Sequence, residues 1–141
     1  MKKPPTAVEM RRHIARLCAD NAITHYTHPR RTGEAGASPE EREIRTPPVR
    51  SAATYAVAMH EIGHVLGRHQ RSRKTMVAER WAWRWARENA IAWTDRMERQ
   101  AARALASYAP AAAEIDRERE RELAEVDGML TAAWWQRRRE L

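Results

Sequence analysis

Two histidines and a glutamate, in the run His60-Glu61-Ile62-Gly63-His64, constrain this chain more than any other feature. Residues four apart lie one turn apart on the same face of an α-helix, so a helical run aims both imidazoles at one point. Neutral imidazole suits a tetrahedral divalent ion, and a neighbouring carboxylate can hold and deprotonate water that such an ion activates. The spacing therefore predicts a helix with His60 and His64 as metal ligands and Glu61 as general base, the H-E-x-x-H pattern of zinc hydrolases. The flanks agree with a helix: Ser51 is a good N-cap, Tyr55, Ala56, Met59, Ile62 and Leu66 recur along it, and Gly67 is a typical stop. Gly63 costs such a helix about 1 kcal/mol relative to alanine, which makes sense if another backbone passes close to it.

The rest of the chain bounds this reading. At 141 residues and 43% hydrophobic it suits one globular unit. A metallopeptidase-sized domain over residues 1–110 and a charged helical extension over 111–141 are expected. Cys18 is the only cysteine, which excludes an intramolecular disulfide and a Cys-rich zinc site and points to a reducing cytoplasm. Met-Lys-Lys-Pro-Pro at the start lacks the apolar run of a signal peptide, and no stretch approaches membrane-spanning length. Lysine and arginine outnumber the acids by 26 to 19, a net charge of +7 that permits weak attraction to nucleic acid or an acidic protein. The signs are interspersed, as on a solvated surface, except in Arg68 to Lys74 and in Arg137-Arg138-Arg139.

Thr6 and Glu9 form a capping box, and Met10, Ile14, Leu17 and Cys18 then mark an amphipathic helix to about Ala22, with Cys18 as buried packing. Ile23 to His28, ending at Pro29, and Arg42 to Thr46, before Pro47-Pro48, read as two short strands joined by a polar loop. In that loop Ser38-Pro39-Glu40-Glu41 could start a helical turn, but a long hairpin connection fits too. Thr75 can cap a further helix to about Trp93, whose tryptophans read as core rather than as base-stacking platforms. Asp95 and Glu98 suggest another capping box, for a helix carrying Met97, Ala101, Ala104, Leu105 and Tyr108 as far as Pro110. Beyond it, alternating Arg and Glu over 117–122 give i, i+3 pairs. Leu123, Val126, Leu130 and Trp134 then form a stripe that needs something to pack on. The fold class is thus α+β and zincin-like: mostly helical, with a small two- to three-stranded sheet beside the motif helix.

A catalytic zinc ion usually takes three protein ligands, so one more must come from beyond His64. His69 nearly completes the metzincin pattern, but the required position holds Gln70. Glu79, near the start of the next helix, could point back at the motif helix as the third ligand of a gluzincin. His25 and His28 read as plain strand or turn residues and His13 as surface. Tyr26, Tyr55, Tyr108 or an arginine could stabilise an oxyanion, and the residue pattern does not choose among them.

The segment Glu79-Arg80-Trp81-Ala82-Trp83-Arg84-Trp85-Ala86 resembles the E-x-x-A-x-x-(aromatic)-A helix that follows H-E-x-x-H in ImmA/IrrE-type metallopeptidases. The resemblance covers about residues 6 to 109 and is strongest from Thr46 to Ala90. It implies a small zincin with Zn²⁺ held by His60, His64 and Glu79 and with Glu61 as base. It also implies a cytoplasmic endopeptidase that acts on a protein such as a repressor, on a phage or mobile element. The basic stretch from His64 to Glu79 is short for that family, and the region after Pro110 has no counterpart in it. The strand from Arg42 to Thr46 is expected to offer an edge to an extended peptide. The alternative class is a non-enzymatic zincin-derived protein that grips nucleic acid or a host protein through its basic surface.

Overall fold

The computed structural model describes residues 3–28 and 34–139. Pro29, expected to end the first strand, lies outside the described residues, as do the side chains of Trp134, Trp135 and Arg139. The elements run α1 (Ala7–Asp20), β1 (Thr24–Thr27), β2 (Gly36–Ser38), β3 (Glu43–Thr46), α2 (Ala52–Leu66), α3 (Thr75–Asn89) and α4 (Asp95–Arg139). The protein is mostly helical, with one mixed three-stranded sheet, an α+β arrangement. Among the described residues no helix is long and apolar enough to cross a membrane.

Helix α1 begins at the Thr6/Glu9 capping box and buries Met10, Ile14 and Cys18. It ends at Asp20, and Ala22 turns the chain with a φ of 53°. The sheet corrects the loop reading. Gly36–Ser38, three small residues of weak strand propensity, form β2 because β3 is there to pair with them, Ala37 lying opposite Ile44. No helical turn forms at Ser38-Pro39, and Pro39 to Arg42 instead makes the β2–β3 hairpin turn. Strand β1 runs parallel to β3 on its other side. With the order β1-β3-β2, β3 is the central strand, so it cannot supply the free edge expected of Arg42 to Thr46. That role falls to β2, or to β1 on the far side. Along β3 the side chains alternate, Ile44 and Thr46 buried and Arg45 exposed, so one face of the sheet meets the helices.

Helix α2 is the axis of the core. Ser51 and Thr54 cap it reciprocally, and Tyr55, Ala56, Ala58, Met59 and Ile62 are fully buried. Helix α3 crosses it at Gly63. A Cβ at Gly63 would lie 3.0 Å from the backbone C and Cα of Ala82 and closer still to its carbonyl oxygen, so only glycine admits this approach.

The two capping assignments further along shift. Lys74, not Thr75, is the N-cap of α3 and offers no side-chain bond; the first turn is held by Asp116, far along the chain. Its carboxylate accepts from the Thr75 N–H at 3.1 Å and the Thr75 hydroxyl at 2.6 Å. Helix α3 also stops at Asn89, short of Trp93. At α4 the cap is Thr94, whose Oγ1 accepts from Met97 N–H at 3.2 Å, while Glu98 pairs with Arg87 and Trp93. Pro110 does not end α4, which continues for 45 residues to Arg139. Proline there removes the bond to the Ala106 carbonyl and crowds that carbonyl with its ring, at a cost of about 3 kcal/mol. Both flanks are held, by Met97 and Ala101 in the core before it and by buried Ala112 and the Asp116 contact after it. Further on, Leu123, Val126, Met129 and Leu130 are exposed, and nothing among the described residues covers that stripe.

The tryptophans divide. Trp83 is core, whereas Trp81, Trp85 and Trp93 are half-buried. His13 is not a plain surface residue: it lies against Tyr55, with Nδ1 2.6 Å from the phenol oxygen, which also accepts from Ile91 N–H. Burial and the Arg16 charge lower the His13 pKa, consistent with a neutral ring that accepts the Tyr55 proton. His25 is a strand residue bonded to Thr46 Oγ1, and His28 bonds the Glu34 carbonyl.

Candidate metal centre

Helices α2 and α3, locked together at Gly63 and Ala82, bring three ligand-type side chains to one point. His60, His64 and Glu79 each offer an atom within 4.8 Å of the others. Two Nε2 atoms converge on one carboxylate: His60 Nε2 is 2.8 Å from Glu79 Oε2 and His64 Nε2 is 3.2 Å from Glu79 Oε1. The helical spacing of the histidines supplies two ligands, and the antiparallel return of the chain supplies the third. Glu61 stands beside them, 6% exposed, with Oε1 3.4 Å from His60 Nδ1.

His69 is excluded from this cluster. The loop after α2 gives it a φ of 58° and turns its ring onto Trp81, 4.6 Å between centroids. Gln70, the next residue, reaches the site instead. Its Oε1 is 2.8 Å from His64 Nδ1, and its Nε2 donates to the carbonyls of Ala78 at 2.9 Å and Arg68 at 3.0 Å. On the other side the His60 ring lies flat on Trp83, 4.1 Å between centroids and 8° from parallel, so packing sets its plane.

The electrostatics bind the three groups into one unit. Burial alone would lower the His60 pKa, but hydrogen bonds and charge from Glu61 and Glu79 outweigh it and raise the value to about 9. For Glu79, burial would raise the pKa, and the bonds and charges of His60 and His64 instead bring it down to about 2. Two imidazole nitrogens and a carboxylate at this separation, on two braced helices, form a donor set that could hold a metal ion.

The cluster forms the floor of a pocket of about 500 Å³. Ala35, Gly36, Ala37 and Pro39 wall one side, and Ala104, Ser107 and Tyr108 of α4 wall the other. Of the three tyrosines only Tyr108 lines this pocket; Tyr55 is buried in the core and Tyr26 is exposed on the sheet. Burial and the charges of Glu79 and Asp116 raise the Tyr108 pKa, which keeps its hydroxyl a donor. Gln70 and Asp116 were not legible as site residues. The one sequence signal for Gln70 was its place where a longer motif would carry a third histidine.

No family model matches the chain, and neither does any curated protein or solved structure.

Proposed function

We propose that this chain is a zinc metalloendopeptidase that cleaves an extended segment of a protein substrate. One observation carries the reading: a two-histidine, one-glutamate ligand cluster with a buried carboxylate beside it on the floor of an open pocket. The resemblance to ImmA/IrrE-type peptidases extends the proposal to a cytoplasmic enzyme of a phage or mobile element acting on a regulator such as a repressor. Zn²⁺ held by His60, His64 and Glu79 would supply Lewis acidity, acidifying water and polarising a carbonyl. Glu61 takes the proton of the attacking water and returns it to the departing amine. Tyr108, on the opposite wall, donates its hydroxyl to the oxygen that becomes anionic. Among the described residues strand β2 is an edge of the sheet beside the pocket, where an extended peptide can hydrogen-bond to the backbone and lie across the ligands.

The test joins metal content to turnover. Elemental analysis of wild type should give near-stoichiometric zinc, lost in Glu79→Ala and kept in His69→Ala. Glu61→Gln should retain the zinc and lose cleavage of a peptide library that wild type digests. Unchanged turnover in Glu61→Gln sinks the mechanism, and wild type that takes up no supplied zinc sinks the site.

The alternative, a non-enzymatic scaffold that grips nucleic acid, draws on Arg68, Arg71 and Arg73. These are exposed and form no side-chain ion pair among the described residues. It predicts steeply salt-dependent DNA binding that Glu61→Gln leaves unaltered.

A further inference from the structure

We propose that Gln70 is a positioning residue of this centre. It fixes which nitrogen of His64 is free to bind a metal and ties the two ligand helices together; the metal part rests on the reading above. The argument begins with the amide. Its nitrogen carries two donors and its oxygen only accepts. Both neighbours of Nε2, the Ala78 and Arg68 carbonyl oxygens at 2.9 and 3.0 Å, are themselves acceptors. A flipped amide would set oxygen against two carbonyl oxygens, so the orientation is forced and Oε1 faces His64 Nδ1 at 2.8 Å. Nδ1 is therefore held as a donor to Gln70. The other ring nitrogen, Nε2, faces the ligand cluster, 3.2 Å from Glu79 Oε1, so the two acceptors compete for the hydrogen of the neutral ring, and Gln70 biases it to Nδ1 and leaves Nε2 for a metal. That bias is set by two backbone carbonyls and relayed through one side chain.

The same bonds are mechanical. Arg68 follows the end of α2, and Ala78 immediately precedes Glu79 in α3. One amide therefore spans from a histidine ligand on one helix to the residue next to the carboxylate ligand on the other. Only glutamine satisfies all three contacts: glutamate lacks the donors, asparagine is a methylene short, and methionine fills the space without either polar group. In zinc proteins, losing a partner that orients a ligating histidine costs about 10- to 100-fold in metal affinity.

The test uses the full chain with Gln70→Met and Gln70→Ala, folding being checked by circular dichroism. Nitrogen-15 NMR of the metal-free protein, at a pH where His64 is neutral, reports which ring nitrogen is protonated. Gln70→Met and Gln70→Ala should both shift His64 towards Nε2–H relative to wild type, because Glu79 is then the ring's remaining acceptor, while His60 stays unchanged as internal control. Zinc affinity, measured by competition with a chromophoric chelator, should fall about 10- to 100-fold in Gln70→Met. A Gln70→Met protein with the wild-type His64 tautomer and wild-type zinc affinity overturns the proposal. If wild type binds no zinc, the metal reading fails, and the tautomer measurement still decides the Gln70–His64 link. Should Gln70→Met not fold, Gln70→Ala carries the test: a His64 tautomer unchanged from wild type overturns the assignment.

Discussion

Gly63→Ala sets two known effects against each other. In an ordinary helix alanine gains about 1 kcal/mol over glycine. At Gly63 the added methyl would meet the Ala82 backbone at 3.0 Å and closer, in a contact where both residues are buried. Backbone cannot rotate away as a side chain can, so one helix must retreat. Overpacking of this kind costs about 1–3 kcal/mol. Set against the gain in propensity, the net is a loss of roughly 0–2 kcal/mol. Gly128→Ala is the control, because no atom lies within 4 Å of a Cβ there and only the propensity gain remains. The retreat also has a chemical cost. Gly63 adjoins His64, and Ala82 is one turn beyond Glu79, so the ligands separate with the helices, and a site of this kind tolerates only about 0.5 Å of error. Thermal unfolding should place Gly63→Ala at or below wild type and Gly128→Ala at or above it. Chelator competition should show weakened zinc binding in Gly63→Ala alone. A Gly63→Ala protein that is more stable than wild type, with unchanged zinc affinity, would refute the reasoning.

Two further predictions concern chemistry. Tyr108→Phe should keep zinc content and substrate KM near wild type while lowering kcat by about 100- to 1,000-fold, as loss of one oxyanion donor does; equal kcat would remove Tyr108 from the mechanism. In the metal-free protein the cluster should stabilise the fold within a defined pH range. The raised His60 pKa gives stability that is complete below about 6.5 and lost as pH rises through about 9. The lowered Glu79 pKa gives stability that is present above about 4.5 and lost as pH falls towards about 2. Chemical denaturation across pH should therefore show this contribution greatest between those limits and reduced in Glu79→Ala, where Glu61 alone still faces His60. An identical profile for that variant would contradict the coupling.

The features legible in the sequence were those with local causes. The α2 helix, its Ser51 cap and the shared face of His60 and His64 follow from spacing, and Gly63 announced a close approach that Ala82 makes. Glu79 was readable because it lies near the start of the very next helix, where it could point back at α2. What escaped depends on residues far apart in the chain. Gly36–Ser38 is a strand only through its pairing with β3, which also demotes β3 from edge to centre. Thr75 looked like a cap because the carboxylate that holds the α3 terminus lies 41 residues further on, at Asp116. Pro110 looked like a stop because tertiary contacts on both of its flanks are invisible locally. Gln70 needed the loop conformation, including the positive φ at His69, before its amide could be seen to meet His64.

The clasp between Asp116 and Thr75 bears on where this molecule can be divided. Arg119 reinforces it, donating to the Arg73 carbonyl at 2.9 Å. A cut after Pro110 would leave every candidate ligand in place yet discard the group that closes the first turn of the Glu79 helix. The shortest fragment able to hold the centre in this form therefore reaches at least to Arg119. A vector that stops at the proline would express a protein with all its ligands and without the fastening of the helix that presents one of them.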